Sequence, residues 1–558
     1  MKRLSILIAA ILTASMLASC SSGNAASTDS SATVSETSST VSTGSGSSSE
    51  ADPGEGPSWK IDTSPVTLEY FVGYDWASFT FSPETNEYDK YLLDETGVTI
   101  NWTYGNQEKL NMLITTDSLP DIVTYDIMSN ERLTMENNQL LLPLEELMEQ
   151  YAPDFNVVPS MVDWYRNPDG HWYAFASFFY SQERCSPEFG GYYVSHNKNY
   201  ARKDLMEELG IKETDFSTKE DVIRTLVKVK DSDLTYNGLK VEPMVGLADA
   251  YLAEQFGMDR EDSDGNLVNE YRTDEYKEAL MFYNELYRNG LISDEEFTMD
   301  NTLREQKVVN GTIFYSQGST NLAGDNELEI NDADAIYYDV GYVKGNNGDK
   351  QPYITPSPTG GWTGTMISKN CQSPERAIRL FAFLSQEEET LYNAYGGYGR
   401  FNITDGKVEY IPEMEDLRNE DLTSFENKFG ADPPRFMVDW TFFQKYAPDL
   451  TKENEIRNRQ RDQEVYSPIC FTDMIFSNVI PDAGTELATL NISIDAYWKQ
   501  QRPLIIMAGS EEEASSLYDQ TIAQMDAMGM EQVDEYKNSK FKENKEKLDL
   551  EFAWPRNQ

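Results

Sequence analysis

The stretch VTLEYFVGYDWASFTFSPETNEYDKYLLDETGVTINWTYGNQEKLNMLITTDSLPDIVTYD, residues 66–126, decides the fold class. Val66, Leu68, Tyr70 and Val72 alternate with Thr67, Glu69 and Phe71, the two-residue period of a strand. A helix is predicted from about Pro83 to Glu95, stopped at Gly97, and Val98 to Trp102 reads as a second strand. Residues 106–116 read as helical, and Ile122 to Tyr125, behind Pro120-Asp121, as a third strand. This β-α-β-α-β order predicts an α/β fold with a parallel sheet covered on both faces, whose sites lie at the carboxyl ends of the strands.

Outward from this run, a second start is predicted where Tyr192 to Ser195 forms a strand leading into a helix from about Tyr200 to Leu209, closed by Gly210. Ser217 with Glu220 three residues on reads as a capping box for the next helix. Tyr276, Leu280, Tyr283 and Tyr287 recur at helical spacing up to Gly290. The turn-rich segment Thr355 to Gly361 precedes a strand at Trp362–Ser368, and Ser373-Pro374 opens a helix that buries Ala377, Leu380, Phe381 and Leu384. Amphipathic stretches around 484–500, 511–529 and 531–548 make the C-terminal third mainly helical.

Composition narrows the function. With 95 acidic and 46 basic residues the formal charge is −49, which repels polyanions and argues against nucleic acid as a partner. Only two histidines occur, His171 and His196, so mechanisms built on several imidazoles lack material. The four cysteines have no CxxC or zinc spacing.

The N-terminus gives an address. Lys2 and Arg3 precede the apolar run Leu4 to Ala18, too short to span a bilayer and suited to a secretory signal. Leu17-Ala18-Ser19-Cys20 resembles a bacterial lipobox, which implies cleavage after residue 19 and lipid, such as palmitate, on Cys20; the alternative is an ordinary signal peptide with an incidental cysteine. Residues 21–58, half Ser or Thr and with no Lys or Arg, read as a disordered tether.

Four segments carry a family resemblance: LNMLITTDSLPDIVTYD (110–126), YYVSHNKNYARKDLMEELGI (192–211), GTMISKNCQSPERAIRLFAFLSQEE (364–388) and LIIMAGSEEEASSLYDQTIAQMDAMGMEQVDEY (504–536). They resemble the extracellular solute-binding lipoproteins of bacterial ABC transporters, in the oligosaccharide-binding branch. The resemblance implies a two-lobed, type II periplasmic-binding-protein-like α/β fold with a hinge. Its parts would be a signal peptide (1–19), lipidated Cys20 and tether (20–58), first lobe (60–180), second lobe (181–350), return to the first lobe (351–415) and a mainly helical part shared between lobes (416–558). It implies a monomer, anchored outside the cell membrane, that captures an oligosaccharide between lobes and hands it unaltered to a membrane permease. A secreted glycoside hydrolase and a surface adhesin for glycans or peptides are the competing functions.

A neutral sugar needs flat aromatic platforms ringed by hydrogen-bonding groups. Tyr74-Asp75-Trp76, just past the first strand, meets that description, with a core tryptophan as the even alternative. Trp362, behind Gly360-Gly361, is the foremost stacking residue. Trp172 is placed on the cleft or in the core; Tyr398 and Arg400, the pair Glu183 and Arg184, and Asp249 and Trp440 complete the expected site. No cofactor is expected beyond calcium, for which the family's loop resembles Asp233 to Pro243; Asp233, Asn237 and Glu242 could be ligands, but Thr235 and Val241 stand where the family has stronger ones. Asp262 to Asn266 reads as a surface turn, because Arg260 and Tyr271 occupy EF-hand ligand positions. After lipidation of Cys20, either one disulfide with one thiol or three free thiols is open to Cys185, Cys371 and Cys470.

Overall fold

A computed structural model describes residues 56–552 apart from 182, 187–188, 196, 320–321, 323, 349, 357–358, 396–399, 451–452, 471–472 and 482–484. All described residues belong to one unit, Pro53–Gln558; the segments expected to be a signal peptide and a tether, with Cys20, lie outside the described residues but for the last few positions of the tether.

The opening strands are β1 (Val66–Val72), β2 (Val98–Tyr104), β3 (Ile122–Asp126) and β4 (Ala174–Ala176). Six more follow: β5 (Lys198–Arg202), β6 (Thr235–Tyr236), β7 (Leu239–Lys240), β8 (Glu242–Val245), β9 (Ile313–Ser319) and β10 (Tyr337–Asp339). The chain then returns as β11 (Thr363–Ile367). The first sheet has the order β2-β1-β3-β11-β4, with β1 parallel to β2 and β3, and β11 antiparallel to β3 and β4. The second has the order β10-β5-β9-β8, and β6 and β7 form a separate hairpin. Phe71 is as buried as Tyr70 and Val72, so β1 is covered on both faces and its apparent alternation is a solvent effect only at its start.

Each sheet has its own core. Leu68, Tyr70, Ile122, Met366, Phe381 and Trp172 belong to the first, and Leu226, Leu280, Tyr283, Phe314, Trp498 and Met525 to the second. The fold is the two-lobed α/β architecture expected. Chain segments crossing between the sheets are joined by isolated bridges, Ser195 with Pro356 and Ile354 with Cys470. Of the C-terminal helices, Glu486–Ile506, Glu511–Met528 and Met530–Lys547 pack into the second core, whereas Ala431, Phe436, Met437 and Met474 enter the first.

Local chemistry moved several boundaries. The first helix spans Glu87–Thr96 rather than starting near Pro83, because the Asn86 side chain accepts hydrogen bonds from the backbone of Tyr88 and Asp89. The strand expected at 192–195 forms instead as β5 at Lys198–Arg202, where it can pair with both β9 and β10, and the helix begins only at Lys203. Thr218, not Ser217, caps the helix Lys219–Asp231, accepting from the Asp221 N–H.

Candidate functional site

Four strand ends of the first sheet converge on one aromatic surface. The loop leaving β1 supplies Tyr74, Asp75 and Trp76, β3 supplies Tyr125, the loop leaving β4 supplies Phe178, and the turn entering β11 supplies Trp362. Because β11 is antiparallel to β3, with Thr363 paired to Asp126, its amino end lies beside the carboxyl end of β3. The Trp362 backbone is clamped on two sides: its N–H donates to Ser177 O at 2.9 Å, and its carbonyl accepts from Ile127 N–H at 3.1 Å. Gly361, at φ +99°, makes this approach possible; a Cβ there would meet Ser177 O at 2.8 Å.

The rings form a continuous plate. Trp76 and Trp362 stack with centroids 5.9 Å apart and planes 17° apart, and Tyr74 lies 5.6 Å from each. Phe178 closes edge-on against Trp362 at 5.7 Å, and Tyr125 meets Tyr74 at 5.8 Å. Trp76 is 51% exposed and Trp362 36%, so large apolar faces are held open to solvent on a rigid base. Beneath them Tyr70, Thr124 and Thr365 form a buried hydroxyl chain, with 2.8 Å between successive oxygens, that ends on Phe436 O. The Tyr74 hydroxyl is buried and has no hydrogen-bond partner among the described residues; burial, with the charge of Asp126, pushes its pKa well up and keeps it a neutral donor.

Three participants escaped the sequence reading. Phe178 holds φ at +56°, a strained conformation for an aromatic residue, and its N–H is fixed to Val438 O at 2.7 Å. No local signal announces that strain. Tyr125 was read only as part of a strand, and Arg435, whose guanidinium lies 6.0 Å from the Trp76 centroid and 5.3 Å from that of Phe79, comes from a distant turn.

The profile of one family, Bacterial extracellular solute-binding protein, matches residues 82–390, more than half of the chain. The chain belongs to that family. Among curated relatives, the fructooligosaccharide ABC transporter substrate-binding protein FusA of Streptococcus pneumoniae is 26% identical over 303 residues, 49% of this chain and 54% of FusA. Lipoprotein LipO of Bacillus subtilis is 28% identical over 152 residues, 25% of this chain and 29% of LipO. The chain thus spans about half or less of the curated relatives it matches. The structure of FusA in complex with kestose superposes with a TM-score of 0.64 at 18% identity, covering 86% of this chain and 100% of that one. An extracellular solute-binding protein from Bifidobacterium longum subsp. infantis gives 0.64 at 16%, covering 86% and 98%. At such identities the likeness is one of fold.

In this solute-binding protein the other expected site residues have internal duties. Trp172 is fully buried, tilted against Phe155 at 6.4 Å in the first core, and offers no face to a ligand. Arg184 pairs with Asp439 and lies 3.8 Å over the Phe442 ring. Burial opposes ionisation of Glu183, yet hydrogen bonds from Ser160 and Ser181 hold its carboxyl below its ordinary pKa. Asp249 is gripped by Arg502 through two oxygens at 2.5 and 2.7 Å, on the second lobe. Arg400 pairs with Glu87 and covers the Phe429 ring at 4.0 Å. Arg184, Asp249 and Arg400 are thus engaged in ion pairs, and the exposed Glu183 in hydrogen bonds from two serines. Tyr398 lies outside the described residues, as does the side chain of Trp440, whose backbone starts the helix Trp440–Lys445.

The calcium-like segment folds as the β6–β7 hairpin, with Asn237 and Gly238 at its tip. Asp233 is solvent-exposed and sits 3.8 Å from the Lys240 ammonium, while Glu242 binds Lys307 Nζ at 2.6 Å. Among the described residues no group of three or more His, Cys, Asp or Glu could hold a metal ion. Asp262 accepts the N–H groups of Asp264 and Asn266, the turn anticipated. Cys185, Cys371 and Cys470 are free thiols, which decides the open question of pairing. Among the described residues no helix is long and apolar enough to cross a membrane.

Proposed function

We propose that this protein is the capture component of an ABC importer, binding a neutral oligosaccharide on the Tyr74–Trp76–Trp362 plate between its lobes and releasing it unchanged to a membrane permease. The observation that carries the reading is the near-parallel pair of exposed indoles at the strand ends, whose solvent-facing rings suit the C–H faces of sugar rings. The name of FusA, a fructooligosaccharide-binding relative, supports the same ligand class. Lobe closure over the ligand would select the bound form, and Cys20 would carry the lipid that keeps the protein at the outer membrane surface. The ion pairs of Glu242 with Lys307 and Asp233 with Lys240 support function without calcium.

The test is calorimetric titration of the purified chain with kestose, nystose, maltotriose, maltotetraose and an acidic uronate trimer. Saturable binding of a neutral sugar, with the sugar recovered intact, is expected. Catalytic turnover of labelled sugar, or binding of peptides alone, would overturn the proposal.

A further inference from the structure

Beside the plate, a groove of about 590 Å³ runs from Trp76 and Phe79 toward Asn393 and Asn427. The loop after β1 forms one wall with the hydroxyl side chains of Ser78, Thr80, Ser82 and Thr85. The opposite wall comes from the helices Glu387–Tyr395 and Leu422–Phe429 and the turn that carries Asp432 and Arg435. Trp76 lines the groove and also stacks in the plate, so the two are continuous through one indole.

Resting on the proposed function, we infer that this groove is a second sugar subsite, holding the next unit of an oligosaccharide whose first units lie on the plate. Arg435 is its anchor. The guanidinium is spread over Trp76 and Phe79, and the one carboxylate within 4 Å of it among the described residues, Asp432, is 3.6 Å away, longer than a hydrogen bond. Its five N–H donors therefore serve a ligand hydroxyl better than a fold contact. Asn393 donates to Ala431 O at 2.9 Å, which leaves its carbonyl oxygen as an acceptor. Hydroxyl and amide groups dominate the walls, while Glu426 and Asp432 flank the single cation and disfavour an anionic unit. The ligand class is thus a neutral sugar residue.

The chain-length dependence of affinity tests this. The wild-type chain is titrated with kestose and nystose, and with maltotriose and maltotetraose, by calorimetry. The longer member of the bound series is expected to bind at least fivefold tighter. In Arg435→Gln that ratio should fall to one, whereas Trp362→Ala should lose both members. Ser78→Trp, a surface change that fills the groove, should act as Arg435→Gln does and guards against a folding defect in the latter. Equal affinities in the wild type, or a ratio preserved in both groove variants, overturns the subsite while leaving the sugar-binding proposal standing. Failure of the wild type to bind any of the four sugars overturns both.

Discussion

Trp76 and Trp362 stack at 5.9 Å although one leaves β1 and the other enters β11. The spacing is within the range of offset aromatic pairs, so no sugar fits between the rings and a ligand must meet a solvent-exposed face of the pair. The pair is rigid because Trp362 is tied by backbone hydrogen bonds to the ends of β3 and β4.

Trp362→Ala is expected to weaken binding of a neutral oligosaccharide at least tenfold, about 1.4 kcal/mol, with the melting temperature of the free protein nearly unchanged. Calorimetric affinity and a thermal melt of the same preparation check both halves. A large fall in melting temperature without a specific loss of affinity would assign this ring to the core.

Trp172→Ala should behave in the opposite way. Its side chain is completely buried, and deleting it should cost roughly 3–5 kcal/mol of stability. Denaturant unfolding measures the loss; wild-type stability in this variant would mean the ring is not part of the first core.

Addition of calcium or EDTA should leave the melting temperature unmoved, because Lys307 holds Glu242 and, among the described residues, no group of three or more His, Cys, Asp or Glu could hold a metal ion. A stabilisation rising with calcium concentration, as expected for a ligand that binds only the folded state, contradicts this.

Glu389 makes stability depend on pH. Burial between the first helix and the helix Glu387–Tyr395, reinforced by the charges of Glu388 and Glu95, pushes its carboxyl from 4.5 up to about 8, although the hydroxyls of Tyr88 and Tyr91 donate to it. The folded state then binds a proton that the unfolded state releases. Its contribution is fully present below pH 4.5 and is lost as pH rises through about 8. Glu389→Gln, which stays neutral, should flatten this part of the profile in denaturant melts between pH 5 and 9; an unaltered slope would refute the assignment.

Much of the first sheet was legible because its signals are local. The period of β1, the stop at Gly97 and the Ser373-Pro374 helix start each depend on a few adjacent residues. The β5 boundary was misread because strand pairing with β9 and β10, not the aromatic run at 192–193, decides where that strand forms. Arg184, Arg400 and Asp249 looked like ligand groups because a sequence shows charge without showing partners.

By itself the sequence determined the alternating α/β order, the strongly acidic net charge and the placement of Tyr74, Trp76 and Trp362 near strand ends. Only the tertiary structure decided which tryptophan faces solvent. Trp172 and Trp362 each follow a glycine-containing turn and precede a strand, yet one is walled in by Phe155 and its neighbours while the other is lifted onto the sheet's rim. Burial is a property of what packs against a side chain, and those neighbours come from elements far away along the chain.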